Sequence, residues 1–171
     1  KDLTKKYRVF LKDSIRKAVD FSQTDQNRGI APPPIEKPYD NEATRIELPP
    51  FEHLQNIGKT DIVSAIKNRV SRRSYSSKPL SLEELSFLLW ATQGIKQVLD
   101  SGHALRTVPS AGCRHAFETY LCVLNVQSLE QGIYRYLPLE HQLLFEFTEK
   151  DLERKIVRAV FGQPYPGDAP L

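Results

Sequence analysis

The chain has few of the features that mark a membrane-spanning, disulfide-bonded or metal-binding protein. It contains 2 cysteines in 171 residues, too few for a disulfide framework, and no CxxC pair or Cys/His cluster that would predict a zinc or iron–sulfur site. No run approaches the ~18 apolar residues of a membrane-spanning helix, and the charged first residues contain no secretory signal. We therefore expect no metal, no membrane association and a location in the cytoplasm.

Methionine is absent as well, even at position 1. We therefore expect this chain to be a piece, or a processed form, of a longer protein. Its length is sufficient for one domain with a hydrophobic core. The hydrophobic fraction of 40% and the net charge of +3 are those of an ordinary globular protein, and they do not favour nucleic-acid binding.

Prolines, by contrast, are concentrated in one region. Residues 1–23 predict one or two short amphipathic helices, and residues 24–50 then contain Ala31-Pro32-Pro33-Pro34 and Leu48-Pro49-Pro50. No helix can run through such a stretch, which favours extended backbone. We interpret it as an extended arm that lies along a larger body, the alternative being a disordered leader. The predicted division is 1–56 for the helical segment and proline-rich arm, and 57–171 for the main domain.

Helices come first in the main domain. Residues 60–70 predict a helix with Thr60 as its N-cap. Residues 81–93 predict a leucine-rich helix, since Ser81 and Glu84 have the spacing of a capping box and Gly94 is a natural stop.

Strands follow these helices. Residues 95–115 have the composition of a loop, whereas 116–126 are rich in β-branched and aromatic residues and predict a strand. Residues 132–137 alternate and predict a second strand, and residues 143–147 predict a third. Thr148 is then predicted to cap another helix, which ends at Gly162. This order predicts the α+β class, with an antiparallel sheet.

One segment has the composition of a phosphate site: Arg69-Val70-Ser71-Arg72-Arg73-Ser74-Tyr75. Arginine matches phosphate oxygens with two hydrogen bonds, and serine hydroxyls complete such sites. Two other interpretations exist. Cationic residues are also favourable at a helix C-terminus, and a basic cluster that includes Lys78 could bind nucleic acid. The second is disfavoured, because only Tyr75 offers a surface on which a base could stack.

The context of this segment resembles the nitroreductase superfamily. The spacing Arg-x-Ser-x-Arg-x-Tyr is followed by Pro79-Leu80 and a capped, leucine-rich helix, and residues 78–95 look like the SagB-type dehydrogenase branch. Residues 106–112, Arg-Thr-Val-Pro-Ser-Ala-Gly, resemble the family's second flavin-contacting loop. Glu118-Thr-Tyr120 and residues 132–136 resemble its next strand and hairpin. The resemblance covers roughly residues 57–171, and it implies an antiparallel sheet flanked by helices.

The resemblance also implies a cofactor site for FMN. In the family, the positions of Arg69, Val70, Ser71 and Arg73 hold the phosphate and ribityl chain, while Arg72 would face solvent. The positions of Pro109, Ser110, Ala111 and Gly112 lie near the isoalloxazine ring. Family members continue beyond the point matched by Leu171, so the chain resembles the N-terminal portion of a domain, truncated before the C-terminal half.

What the resemblance implies about function is FMN-dependent oxidoreduction in a homodimer, with NAD(P)H as an electron donor. The SagB-like stretch suggests oxidation of an azoline in a modified peptide, and the family equally permits small-molecule nitroaromatics or quinones as substrates.

We assign no catalytic residue, because a flavin hydride step requires no acid–base pair from this segment. Cys113 and His115 are too close in sequence to predict an oriented pair, and His53, His103 and His141 are interpreted as surface or capping residues. The alternative is a non-catalytic relative that serves as a scaffold or partner-binding module.

Overall fold

A computed structural model describes residues 2–9, 11–50, 54 and 57–171, so His53 lies outside the described residues. The chain forms two compact units, residues 1–33 and residues 34–171. The first unit contains helix α1 (Asp2–Arg8) and two 3-10 helices, Asp13–Ala18 and Phe21–Gln23. The Asp20 carboxylate accepts a hydrogen bond from the Ser22 N–H at 3.0 Å, which caps the last of these.

The second unit begins within the proline-rich arm. Strand β1 (Arg45–Glu47) pairs antiparallel with strand β6 (Gln142–Phe147), placing Ile46 opposite Leu143. Ile35 and Leu48 of the same arm are buried. The burial of these apolar side chains thus stabilises the packing of the arm against the sheet.

Strand β4 is Tyr120–Val123 and strand β5 is Gly132–Leu137. Among the described residues, the main sheet has four strands in the order β1-β6-β5-β4, all antiparallel. The three predicted strands are confirmed, although the first is shorter than the predicted 116–126. Strand β5 is the centre of the core, since Tyr134, Tyr136 and Leu137 are each almost fully buried.

Two helices of the second unit lie in sequence between strand β1 and the other strands of the sheet. Helix α2 (Ile62–Asn68) is capped by Asp61, whose carboxylate accepts from the Ser64 N–H at 2.9 Å, so the prediction of Thr60 as the cap is wrong. Helix α3 (Leu82–Gln93) has both bonds of the predicted capping box and ends at Gly94. Its inner face buries Leu85, Ser86 and Leu89. Among the described residues, no helix combines the length and the apolar character that crossing a membrane requires.

The predicted loop at 95–115 is in fact largely a β-hairpin, of strands β2 (Ile95–Asp100) and β3 (His103–Arg106). The prediction was wrong because most β2 side chains are exposed, so burial imposes no alternating apolar pattern on that strand. Helix α4 (Leu152–Ala159) follows Asp151, which means that Thr148 is not its N-cap. After a 3-10 turn at Tyr165–Gly167, the Pro170 carbonyl accepts from the Leu124 and Asn125 N–H groups at 3.0 and 2.9 Å.

Candidate functional site

The basic segment 69–75 begins where helix α2 ends, with Arg69 as the C-cap. It runs in irregular backbone, and all seven side chains are exposed. In the part of the chain that the structure describes, no carboxylate forms an ion pair with Arg69 or Arg73. The Arg73 guanidinium instead lies 5.6 Å from the centre of the Tyr165 ring. Both arginines can therefore reach an anion without giving up an acidic partner.

The far end of this segment is attached to the sheet region. Leu80 forms a parallel bridge with Val126, and its N–H donates to the Asn125 carbonyl at 3.1 Å. The Asn125 side-chain amide donates in turn to the Ser77 carbonyl at 3.3 Å. A cavity of about 180 Å³ adjoins this anchor and is lined by Tyr75, Ser76, Lys78, Pro79, Leu80, Glu84 and Pro170. The segment is thus anchored on its C-terminal side, through residues 77–80, while its basic side chains remain exposed.

The second predicted group, residues 109–112, enters a tight 3-10 turn at Ala111–Cys113. The Ser110 hydroxyl accepts from the His115 N–H at 2.9 Å. Gly112 has a φ of +63°, and a Cβ built there would meet only the Arg114 Cγ, at 3.6 Å. The backbone at Gly112 is therefore open to close approach by a flat ligand.

Two non-glycine residues beside this turn also adopt left-handed backbone, Cys113 at φ +56° and His115 at φ +44°. Such conformations are uncommon for residues with a Cβ, and they concentrate at ligand-binding segments. The His115 N–H is bound to Ser110, and among the described residues no hydrogen bond joins the Cys113 thiol to the His115 ring, so the two are not arranged as a nucleophile and its base.

A chain of three charged or polar side chains connects this turn to the β2–β3 hairpin. The Arg114 Nη1 lies 3.1 Å from the His103 Nε2, and the His103 Nδ1 lies 2.7 Å from the Asp100 carboxylate. Because arginine can only donate, Nε2 accepts and Nδ1 donates to Asp100. The N–H of Gly102 and the His103 ring hold the pKa of Asp100 below its usual value. His103 is therefore a structural link between the hairpin and the turn.

No hydrogen bond, ion pair or ring contact among the described residues joins segment 69–75 to loop 109–112. That both serve one flavin stays a prediction. The same described residues contain no group of three His, Cys, Asp or Glu side chains that could hold a metal. Burial and the nearby Glu153 raise the pKa of Cys122 to about 11, which keeps its thiol protonated at neutral pH.

Ser86, on the inner face of helix α3, forms a network of hydrogen bonds with His141 and Tyr136. The Ser86 hydroxyl donates to the Pro49 carbonyl at 2.6 Å, so it must accept from the His141 Nε2 at 2.8 Å. The other ring nitrogen, Nδ1, lies 2.7 Å from the Tyr136 hydroxyl, within hydrogen-bond distance. Burial raises the pKa of Tyr136 above its usual value, so this hydroxyl keeps its proton at neutral pH.

The network has a structural role. The hydroxyl of Ser86 is fully buried and its proton is bound to a carbonyl, so Ser86 is not a nucleophile. His141 and Tyr136 also line a cavity of about 350 Å³, together with Trp90, Leu139 and Glu140 among others. The interpretation of His141 as a surface or capping residue is wrong. No sequence signal indicated it, because Ser86 is 55 positions away.

Comparison with known proteins identifies the class. Residues 66–171, more than half of the chain, match the model of the nitroreductase family. The chain belongs to the nitroreductase family. The matched residues include both predicted flavin segments, and the resemblance inferred from the sequence is confirmed at this level. The SagB-type branch stays a prediction.

Among individual proteins, a provisionally named nitroreductase of Methanocaldococcus jannaschii is 30% identical over 126 residues, which are 74% of this chain and 58% of that protein. The chain thus spans a little over half the length of this relative. A crystal structure of a provisionally named nitroreductase from Ralstonia eutropha JMP134 is similar at 26% identity and a TM-score of 0.48, over 68% of this chain and 52% of that one. A second, from Anabaena variabilis ATCC 29413, has 29% identity and a TM-score of 0.47 over 62% and 21% of the two chains.

Proposed function

We propose that this chain forms part of an FMN-dependent oxidoreductase. The observation that carries the proposal is the pair Arg69 and Arg73, exposed and not ion-paired with any described carboxylate, on either side of Ser71 and inside the family match. Guanidinium and hydroxyl donors at this spacing suit a phosphate group.

The residues present fit the cofactor. Arg69, Ser71 and Arg73, with the backbone of Val70, would bind the phosphate and ribityl chain. Loop 109–112 would border the ring, since the open backbone at Gly112 accepts a flat ligand. When bound, the flavin supplies the transfer of hydride, and the chain supplies binding and orientation.

The wider assignments rest on the same proposal. We propose NAD(P)H as an electron donor, and either a small molecule or an azoline-containing modified peptide as the substrate. We also propose a homodimer in the cytoplasm. The support for a homodimer is an apolar face on helix α2, formed by Ile62, Val63 and Ile66 and continued by Val70, all of which are exposed. A second copy of the chain would remove this face from water.

Titration of the purified protein with FMN tests the proposal, with flavin fluorescence as the readout. Arg69→Ala and Arg73→Ala should each weaken binding by about 1.5–3 kcal/mol, because each removes a charge-assisted hydrogen bond to phosphate. Arg72→Ala is the matched control and should change little.

Two results would count against this assignment. Equal losses at all three arginines would mean that the motif is assigned in the wrong register. A colourless protein that cannot be reconstituted with FMN would contradict the enzyme and favour the non-catalytic scaffold.

A further inference from the structure

Four consecutive arm residues, 35–38, are each tied by a hydrogen bond to a different residue of the main body. Two of these ties come from arginines. The Arg106 Nη2 donates to the Ile35 carbonyl at 3.2 Å, and the Arg135 Nη2 donates to the Pro38 carbonyl at 3.4 Å. Both arginines are buried, and each keeps at least one guanidinium nitrogen without a hydrogen-bond partner. The arm therefore supplies acceptors to the Nη2 atoms of two buried arginines, beside Gln93 for Arg106 and Glu146 for Arg135.

The other two ties involve carboxylates. The Lys37 N–H donates to the Glu118 carboxylate at 2.7 Å. The Glu36 carboxyl accepts from the Leu139 N–H, in the turn between β5 and β6, at 3.2 Å. Glu36 is only 8% exposed, and no cation forms an ion pair with it among the described residues. An ionised carboxylate at this position is costly unless a charge compensates it.

The surroundings of Glu36 do not supply that compensation. The titratable groups that face it are Glu140, Glu118, Arg106 and Tyr136. Two of them are acidic, and the single cation, Arg106, also faces Glu118. Burial, opposed by the Leu139 N–H and reinforced by the two acidic neighbours, raises the pKa of Glu36 to about 7.

We propose that residues 35–38 form a proton-dependent clasp: protonated Glu36 holds the arm against the β5–β6 turn, and ionised Glu36 loosens it. The sign follows from linkage. Because the pKa of Glu36 is raised in the folded protein from 4.5 to about 7, its contribution to the closed clasp is complete below about pH 4.5. That contribution is lost as the pH rises through about 7.

The clasp controls more than the arm itself. Leu139, to which Glu36 is bonded, and Glu140, which faces it, are both part of the wall of the 350 Å³ cavity. When the clasp loosens near neutral pH, the wall of the cavity formed by Leu139 and Glu140 can therefore move. The chain thus carries a device that couples the proton concentration to the shape of the cavity.

Hydrogen–deuterium exchange of the whole protein between pH 5.5 and 8.5 tests the clasp, with each rate divided by the intrinsic rate at that pH. Protection of a peptide covering residues 34–40 should fall by up to about thirtyfold, with most of the fall between pH 5.5 and 7, since each unit of pH between the two pKa values changes the equilibrium by up to tenfold. Glu36→Gln, which keeps an acceptor for the Leu139 N–H without a charge, should hold protection high and independent of pH. Glu42→Gln, on an exposed residue of the same arm, is the matched control and should behave like the wild type.

A second variant keeps the test decisive if Glu36→Gln fails to fold. Glu140→Gln removes one acidic neighbour and should move the midpoint of the loss to lower pH. His115, which also lies near Arg106, is tested by His115→Gln and should leave the pH dependence unchanged. Three results would each overturn the proposal. They are constant protection in the wild type, wild-type behaviour in Glu36→Gln, and loss of the pH dependence in His115→Gln.

Discussion

Ser86→Ala removes a single oxygen atom, and we expect this small change to destabilise the protein strongly. The hydroxyl is fully buried, donates to the Pro49 carbonyl at 2.6 Å and accepts from His141 at 2.8 Å. Each hydrogen bond removed from a buried partner costs about 1–3 kcal/mol. Since His141 is half-buried and can recover part of its loss by turning toward water, we expect Ser86→Ala to lower the free energy of unfolding by about 2–4 kcal/mol.

Urea unfolding measures this loss, and an unchanged m-value would indicate that the folded and unfolded states remain comparable. Ser74→Ala, on an exposed serine, should stay within about 0.5 kcal/mol of the wild type. Tyr136→Phe removes the other hydrogen bond of the His141 ring. The double variant should therefore lose less than the sum of the two single variants. A loss below about 0.5 kcal/mol for Ser86→Ala, or strict additivity with Tyr136→Phe, would refute the network as described.

Two further predictions concern the sheet and the exposed helix face. Gly132→Ala should lower the melting temperature measured by circular dichroism, because its Cβ would lie 2.9 Å from the Phe147 carbonyl oxygen and would push β5 away from β6; an unchanged melting temperature would show that the two strands yield without cost. Ile66→Asp should convert the proposed dimer to a monomer in sedimentation velocity, because it places a charge on the exposed face of helix α2; a wild-type sedimentation coefficient would exclude that face from the interface.

The arm lies outside the region that matches the family, yet it takes part in the packing of the second unit. The family match begins at residue 66, whereas the arm that carries Glu36 precedes it. The arm nevertheless contributes β1 to the sheet and supplies acceptors to Arg106 and Arg135. Residues outside the matched region are therefore integral to the packing of the second unit.

The elements that could be predicted from the sequence are those with local causes. Helix α3 was predicted with its cap because Ser81 and Glu84 bond to each other's backbone across three residues. Strand β5 was predicted because the residues of Gly132–Leu137 alternate, which is a property of one short segment. The candidate residues Arg69, Ser71 and Arg73 were assigned because one short segment resembles the phosphate-binding motif of the family. Whether they meet loop 109–112 around one ligand is not a local property, and it stays a prediction.

The features that only the tertiary structure decided depend on pairs of residues that are far apart in the chain. Ser86 and His141 are separated by 55 positions, and Glu36 and Leu139 by 103, so neither pair leaves a pattern in any short window of residues. The fold brings them together because strand β5 and its turn pack against both helix α3 and the arm. The sequence by itself determined the family, helix α3 with its capping box and the basic segment. The three-dimensional fold decided the buried network and the proposed clasp, because both depend on which side chains lose their water.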